Sequence, residues 1–453
     1  MLAPTNPTTG ESLPGIKPLA PEVAGQVIDQ VAEGFSEWRS KSFGERAEYL
    51  GKMASAMRDA KVELADLMAL EMGKPVAEGL GEVEKGAACA EYYAEHAEKF
   101  LAPEFLDSDA SSSFVQYPPL GTVLGILPWN APVWLAMRFL APALMAGNTC
   151  VMKADPNVPA TARLLTELFY GAGLPQNVMA NLPIATIDVA AAIDHPKVKA
   201  VSFTGSSVAG QKVAARAAAG LKPAVLELGG SDPCIVMADA DLDKAAEVVT
   251  LSRMINAGQS CIAAKRLLVE ESIYDEFCEK LYTRFSNITM GDPRDERNQL
   301  GPLARSDLRD NLHHQVTATI EAGARCILGG DIFPGPGFFY PPTLLLDVRP
   351  GMAAFEEETF GPVLSVTPVA DLNDALTLAN ATEYGLGASI WTSNQEAIAQ
   401  AITTLESGQI AVNGIVKTDP RLPSGGIGRS GYGRELGPHG IREFVNVQQI
   451  WIA

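Results

Sequence analysis

Histidine is scarce in this chain, with five among 453 residues, and so is cysteine, with six. Neither forms a cluster. His195, His313, His314 and His439 have no serine–aspartate company that would suggest a triad, and His96 sits in a helical stretch as an ordinary, partly solvated position. Cys89, Cys150, Cys234, Cys261, Cys278 and Cys326 include no CxxC pair and no His/Cys group at zinc spacing. A disulfide framework and a structural metal are both excluded, and a reducing compartment, the cytoplasm, is expected. Long apolar runs are also missing. No stretch reaches the roughly 18 uninterrupted apolar residues that a membrane helix needs, and the polar start MLAPTNPTTGESLPG is no secretory leader. Positive charge is short overall: the formal net charge is −19, the pI is near 4.8, and no long Lys/Arg run exists. Binding to nucleic acid or to a membrane surface is therefore not expected. In such an acidic protein, any arginine near a site that binds an anion becomes informative.

What is present is enough for a large core. The chain is 47% hydrophobic and 20% charged, and its length suggests about three domain-sized units. From Pro21 to Phe100 apolar residues recur every three or four positions (Val27, Val31, Phe35, Trp38; Leu50, Met53, Met57), which predicts scaffold helices. Residues 103–120 read as a hairpin or a pair of short strands. From Gly121 strands and helices alternate: GTVLGI, a helix Val133–Met145, TCVMK, a helix Val158–Tyr170, KAVSFTG, an alanine-rich helix, then PAVLELGG. That alternation predicts a mostly parallel sheet with helices on both faces. A second series follows Ser231, with the Gly/Pro-rich segment 329–345 read as loop and edge structure. The tail ends in a strand-like VNVQQIWIA. No repeat or low-complexity segment occurs.

Several short motifs carry chemistry. Asn256-Ala257-Gly258-Gln259-Ser260-Cys261 places a thiol among small residues, with room for a substrate to approach. A free thiol, with a pKa of about 8.5, is a few per cent thiolate at neutral pH and so a competent nucleophile. Phe203-Thr204-Gly205-Ser206 lies at a strand-to-helix junction, where free N–H groups can receive a phosphate. Lys153 ends a buried strand, where an ammonium needs a partner. Asn130 in LPWNAP, Glu227 in LELGGSDP and Glu358 and Phe360 in EEETFGP complete the set.

In their order and spacing these motifs resemble the aldehyde dehydrogenase superfamily over nearly the whole chain. The resemblance implies an α/β fold of two Rossmann-like open domains plus a β oligomerisation arm. An NAD(P)-binding domain is expected at 1–102 and 121–228, a catalytic domain at 229–436, and the arm at 103–120 and 437–453. It further implies Cys261 as nucleophile, Glu227 as general base, and the Asn130 amide with the Cys261 N–H as oxyanion donors. Trp129, Lys153, Gly205, Ser206, Glu358 and Phe360 become cofactor contacts, and the arm makes a homodimer or homotetramer. Pro156 stands where NAD-preferring relatives carry a glutamate for the ribose 2′-hydroxyl, so NAD and NADP are both open. In the closing signature Ser424 replaces a phenylalanine and Gly428 a lysine. Arg138, on the helix after Asn130, matches the arginine that holds the distal carboxylate in succinate-semialdehyde dehydrogenases, which makes a small semialdehyde the expected substrate. Ile255 and Asp419 depart from those enzymes at a second arginine and at a serine, with Arg421 nearby, which leaves a neutral aliphatic or aromatic aldehyde open. Glu227 argues against a CoA-acylating relative, and the intact Cys261, Glu227 and Asn130 against a non-catalytic binding protein.

Overall fold

TVLGI, TCVMK and the run Val198–Thr204 are apolar on both faces because both faces are covered by helices, the condition under which parallel strands form. In the computed structural model, which describes residues 2–453, these strands build a six-stranded sheet. Its order is Gly431–Tyr432, Ala224–Glu227, Val198–Thr204, Thr122–Ile126, Thr149–Lys153, Met179–Asn181, parallel except for Gly431–Tyr432. Alternate residues feed two cores. Val123, Cys150, Met152 and Ala200 pack under the helices Val76–Phe100 and Pro132–Met145, while Leu124, Val151 and Val201 pack towards Pro21–Glu33.

The second sheet has seven strands in the order Arg325–Leu328, Thr343–Leu346, Val363–Val369, Arg266–Glu270, Pro233–Val236, Gly387–Trp391, Gln409–Val412. Only its first pair is antiparallel. Thr343–Leu346 is fully buried between two neighbours, so the loop-and-edge reading of 329–345 gives way to an internal strand at its end. A third, antiparallel sheet joins Glu104–Phe105, Ser112–Gln116 and Gln448–Ile452 and leaves Phe105, Leu106, Trp451 and Ile452 exposed. The helix Gly437–Arg442 does not join it; it packs on Val76–Phe100, with the Tyr93 hydroxyl donating to the Gly437 carbonyl at 3.0 Å. No helix among the described residues is long and apolar enough to cross a membrane.

Strand register places the chemistry. Ile126 lies opposite both Lys153 and Phe203, and Thr204 lies opposite Glu227. The carboxyl ends of these parallel strands therefore share one edge, where open α/β sheets bind ligands. Gly125, in the strand leading to that edge, lies against the Phe139 ring of the helix that carries Arg138. Gly125→Ala pushes a methyl group into that ring; we expect a loss of about 1–3 kcal/mol in urea unfolding, and an unchanged midpoint would contradict this packing.

Candidate active site

The helix Leu242–Met254 stops just before the Cys261 loop, and the backbone then turns left-handed. Asn256, Ala257 and Gly258 take φ of 56°, 53° and 72°. For the two residues with a Cβ this costs roughly 1–2 kcal/mol each, so the loop needs clamps. Asn256 supplies several: its N–H donates to Glu78 Oε2 (2.7 Å), and its amide donates to the carbonyls of Asn130 (2.8 Å) and Gln259 (3.1 Å). The Gln259 side chain accepts from Ala304 N–H at 2.8 Å. Arg253, fully buried, donates through Nη2 to the Gly258 carbonyl (2.6 Å) and the Gly361 carbonyl (2.5 Å), tying the loop to the EEETFGP turn. Lys265, also fully buried, donates to the carbonyls of Ser260 (3.0 Å) and Cys261 (2.6 Å) and stands 3.5 Å from Glu358 Oε1.

Cys261 is half-buried, and burial pushes its thiol up to about 12, opposed by the charges of Lys265 and Arg138. The few per cent of thiolate expected from an unperturbed thiol is therefore absent in the resting site, and a base must take the proton. The Cys261 N–H makes no hydrogen bond among the described residues. Asn130 Nδ2 donates to the Gln259 carbonyl at 3.1 Å, which aims the amide at this loop and leaves its second N–H free.

Asn130 is fixed from behind. Its carbonyl accepts from Lys74 Nζ at 2.9 Å, and Lys74 is ion-paired with Glu82, both buried. The other Glu82 oxygen accepts from Val133 N–H (2.8 Å) and Trp134 N–H (3.0 Å). A carboxylate thus caps the first turn of Pro132–Met145, where the helix dipole favours it.

That helix carries Arg138, which is 4% exposed. Its Nη2 donates to Glu227 Oε2 at 3.1 Å and reaches Ser424 Oγ at 3.4 Å, and its Nε lies 2.6 Å from Glu435 Oε2. Its Nη1 has no hydrogen-bond partner among the described residues. Glu227 Oε1 is buried without a partner. Burial raises Glu227 to about 7, with Arg138 pulling it down and Glu435 pushing it up. A carboxylate titrating near neutrality suits general base catalysis.

The edge formed by the strand ends fits a dinucleotide. Lys153 is buried with no ion-pair partner, its ammonium destabilised by burial, and Thr204 Oγ1 is buried and unpartnered. Ser206 caps the helix Ser207–Ala219, its Oγ accepting from Ala209 N–H at 3.4 Å. A Cβ on Gly205 would stand 2.7 Å from the Phe203 ring, so the turn is kept bare. Glu358 Oε1 accepts from Gly230 N–H at 3.1 Å, and Phe360 meets the Trp129 ring edge-on, centroids 5.9 Å apart.

Two departures find reasons. Gly428 has φ 60°, and a Cβ there would lie 2.7 Å from the Glu383 carbonyl, so this turn accepts no lysine. Ser424, beside Arg138, puts a hydroxyl where a phenyl ring would crowd the guanidinium. Arg421 pairs with Asp419 at 2.6 Å and points to solvent. The roles of Lys74, Glu82, Arg253, Lys265 and Glu435 were missed by the sequence reading, because a buried charge looks like any polar position in a sequence. Lys74→Met leaves Glu82 uncompensated, and we expect a loss of about 3–5 kcal/mol in denaturant unfolding; a loss below about 1 kcal/mol would contradict a buried pair.

The comparisons with known proteins agree with this geometry. A model of the aldehyde dehydrogenase family matches residues 2–450. A probable succinate-semialdehyde dehydrogenase [NADP(+)] of Synechocystis sp. is 43% identical over 452 residues, covering 100% of both chains. A succinate semialdehyde dehydrogenase [NAD(P)+] of Escherichia coli is 43% identical over 446 residues, covering 98% of this chain and 96% of its own. The crystal structure of the Streptococcus pyogenes succinic semialdehyde dehydrogenase with NADP+ superposes with a TM-score of 0.97 at 33% identity, covering 99% of each chain. In sequence and in fold, the chain belongs to the aldehyde dehydrogenase family.

Proposed function

We propose that this enzyme oxidises succinate semialdehyde to the dicarboxylate with NAD or NADP, and that Cys261, Glu227 and Asn130 carry the reaction. The observation that carries the reading is Glu227: a buried carboxylate near pKa 7, one oxygen unpartnered, close enough to Cys261 for its charge to raise the thiol. Glu227 takes the thiol proton, and Cys261 Sγ adds to the aldehyde carbon. The resulting oxyanion accepts from the free Asn130 N–H and the Cys261 N–H; one such donor is worth about 10²–10³ in rate. A nicotinamide bound at this edge would supply the hydride acceptor. As the thiohemiacetal carbon loses hydride, its oxyanion reforms a carbonyl and a thioester remains on Cys261. Glu227 passes that first proton to solvent; water then attacks the thioester, Glu227 takes its proton, and as the C–S bond breaks the proton goes to the departing Cys261 sulfur, freeing the acid and the thiol.

For the cofactor, Lys153, Gly205, Ser206 and Glu358 would hold sugar and phosphate, and Trp129 and Phe360 would pack near the ring. Pro156 offers the ribose 2′ position neither an acceptor nor a repelling charge, which suits both dinucleotides. For the substrate, Arg138 keeps its Nη1 edge for a carboxylate while its other edge is neutralised by Glu227 and Glu435. That double pairing also favours a second reading, a neutral aldehyde with Arg138 as scaffold. We assign 103–120 and 448–452 to the subunit contact of a homodimer or homotetramer, its exposed Phe105, Leu106 and Trp451 covered by another copy. Six free thiols and an acidic chain fit a reducing compartment, the cytoplasm.

Initial rates of NADH and NADPH formation with succinate semialdehyde, hexanal and benzaldehyde test the substrate. We expect kcat/KM for the semialdehyde to lead by about 30-fold or more, the worth of a desolvated charge pair; a leading neutral aldehyde overturns the substrate but not the chemistry. Arg138→Ala is expected to slow all three aldehydes, because it leaves Glu227 and Glu435 without their shared counter-charge.

A further inference from the structure

Besides Lys153, a second lysine near the site lacks a counter-ion among the described residues and, unlike Arg253, has no backbone carbonyl bonded to it. Lys85 lies on the helix Val76–Phe100, one turn beyond Glu82, and is largely shielded from solvent. Its Nζ stands 4.2 Å from the centroid of the Trp134 ring and donates to Thr418 Oγ1 at 2.7 Å. No carboxylate lies within ion-pair distance of it among the described residues, and the neighbouring ones are taken. Glu82 is held by Lys74 and two helix N–H groups, Glu84 by Arg58, and Asp419 by Arg421. A shielded ammonium without a partner is costly to keep in a folded protein. A cation so placed, without backbone carbonyls to hold it, is a candidate for contact with an anionic ligand.

The position fits the far end of a short substrate. Arg138 acts electrostatically on both Cys261 and Lys85, so the thiol and this ammonium both lie within reach of the same guanidinium. Trp134, one turn before Arg138 on the same helix, presents its ring to both cations, with the Arg138 guanidinium carbon 6.0 Å from its centroid. An apolar wall followed by a cation suits a short methylene chain ending in a carboxylate. Thr418 accepts from Lys85, so its own hydroxyl proton remains free to donate to the same anion.

We propose that Lys85, together with Thr418, binds the distal carboxylate of the aldehyde substrate and sets the preference for carboxylated over neutral aldehydes. The proposal rests on the semialdehyde reading above. It assigns the free Arg138 edge to the near side of that carboxylate and Lys85 to the far side. Burial and the Arg138 charge bring Lys85 down to about 8, against Glu82, Cys89 and Asp419, which raise it. The ammonium form binds the anion, so KM for the semialdehyde rises above that pH while KM for a neutral aldehyde does not follow it.

The experiment uses the full-length enzyme with saturating NADP+, comparing succinate semialdehyde with butanal, which has the same chain length, on wild type, Lys85→Met and Lys85→Arg. In Lys85→Met the semialdehyde-to-butanal ratio of kcat/KM falls about 30-fold or more, mostly through KM, while Lys85→Arg keeps most of the preference. Isothermal titration of the same proteins with succinate, without cofactor, shows binding weakened in Lys85→Met. Thermal melting confirms that each variant is folded. A folded Lys85→Met with an unchanged ratio, or with equal losses on both aldehydes, overturns the assignment while the substrate reading stands. A wild type that prefers butanal overturns the substrate reading itself, and Lys85 then has no ligand.

Discussion

Two buried carboxylates share one buried guanidinium, and the chemistry of the site depends on that sharing. Glu227 and Glu435 arrive from different parts of the chain, at the end of one strand and after the closing glycine-rich loop, and both meet Arg138. Without the arginine, two negative charges would face each other away from water. With it, one remains a compact ion pair and the other is left near neutrality in pKa with a free oxygen. Burial raises the carboxylate and the guanidinium lowers it, and the balance falls near neutrality, the range that suits the general base we propose Glu227 to be.

The same logic, a buried cation anchoring backbone carbonyls, holds the remainder of the site. Lys265 grips the carbonyls of Ser260 and Cys261, Arg253 grips Gly258 and Gly361, and Lys74 grips Asn130. Each costs desolvation, visible in the lowered pKa of Arg253, brought to about 9 by burial. What these contacts give in return is a nucleophile loop held in a left-handed turn that an alanine and an asparagine do not otherwise favour. They also link the parts of the site: Lys265 lies between the Cys261 loop and Glu358, the expected contact of the nicotinamide ribose.

The sequence revealed the sheets better than it revealed this network. Strands such as Thr122–Ile126 and Thr149–Lys153 announce themselves because both faces are apolar, and the helices between them by their periodicity. Pro233–Val236 escaped notice because four residues beginning with a proline carry little pattern, and Thr343–Leu346 because the Gly/Pro-rich loop before it dominated the reading. Cys261, Glu227 and Asn130 were named through motif resemblance, and the structure sets Glu227 beside Arg138 and Asn130 against the Cys261 loop. Glu435 fell within the closing signature without a role of its own, and Lys85 and Lys265 had no such signal, since neither composition nor spacing tells which charged residue has lost its water. Only the fold decides that.

The central claim is that Glu227 removes the proton from an otherwise inert Cys261, and the pH dependence of Cys261 alkylation tests it most directly. Wild type and Glu227→Gln are treated with iodoacetamide across pH 5–10, and the peptide carrying Cys261 is quantified by mass spectrometry so that the other five thiols do not interfere. The account predicts a wild-type rate that climbs as Glu227 deprotonates, around pH 7, and a glutamine variant in which that limb is gone and reactivity appears only at the alkaline end. Superimposable profiles for the two proteins would contradict it, and would mean that Cys261 ionises without Glu227.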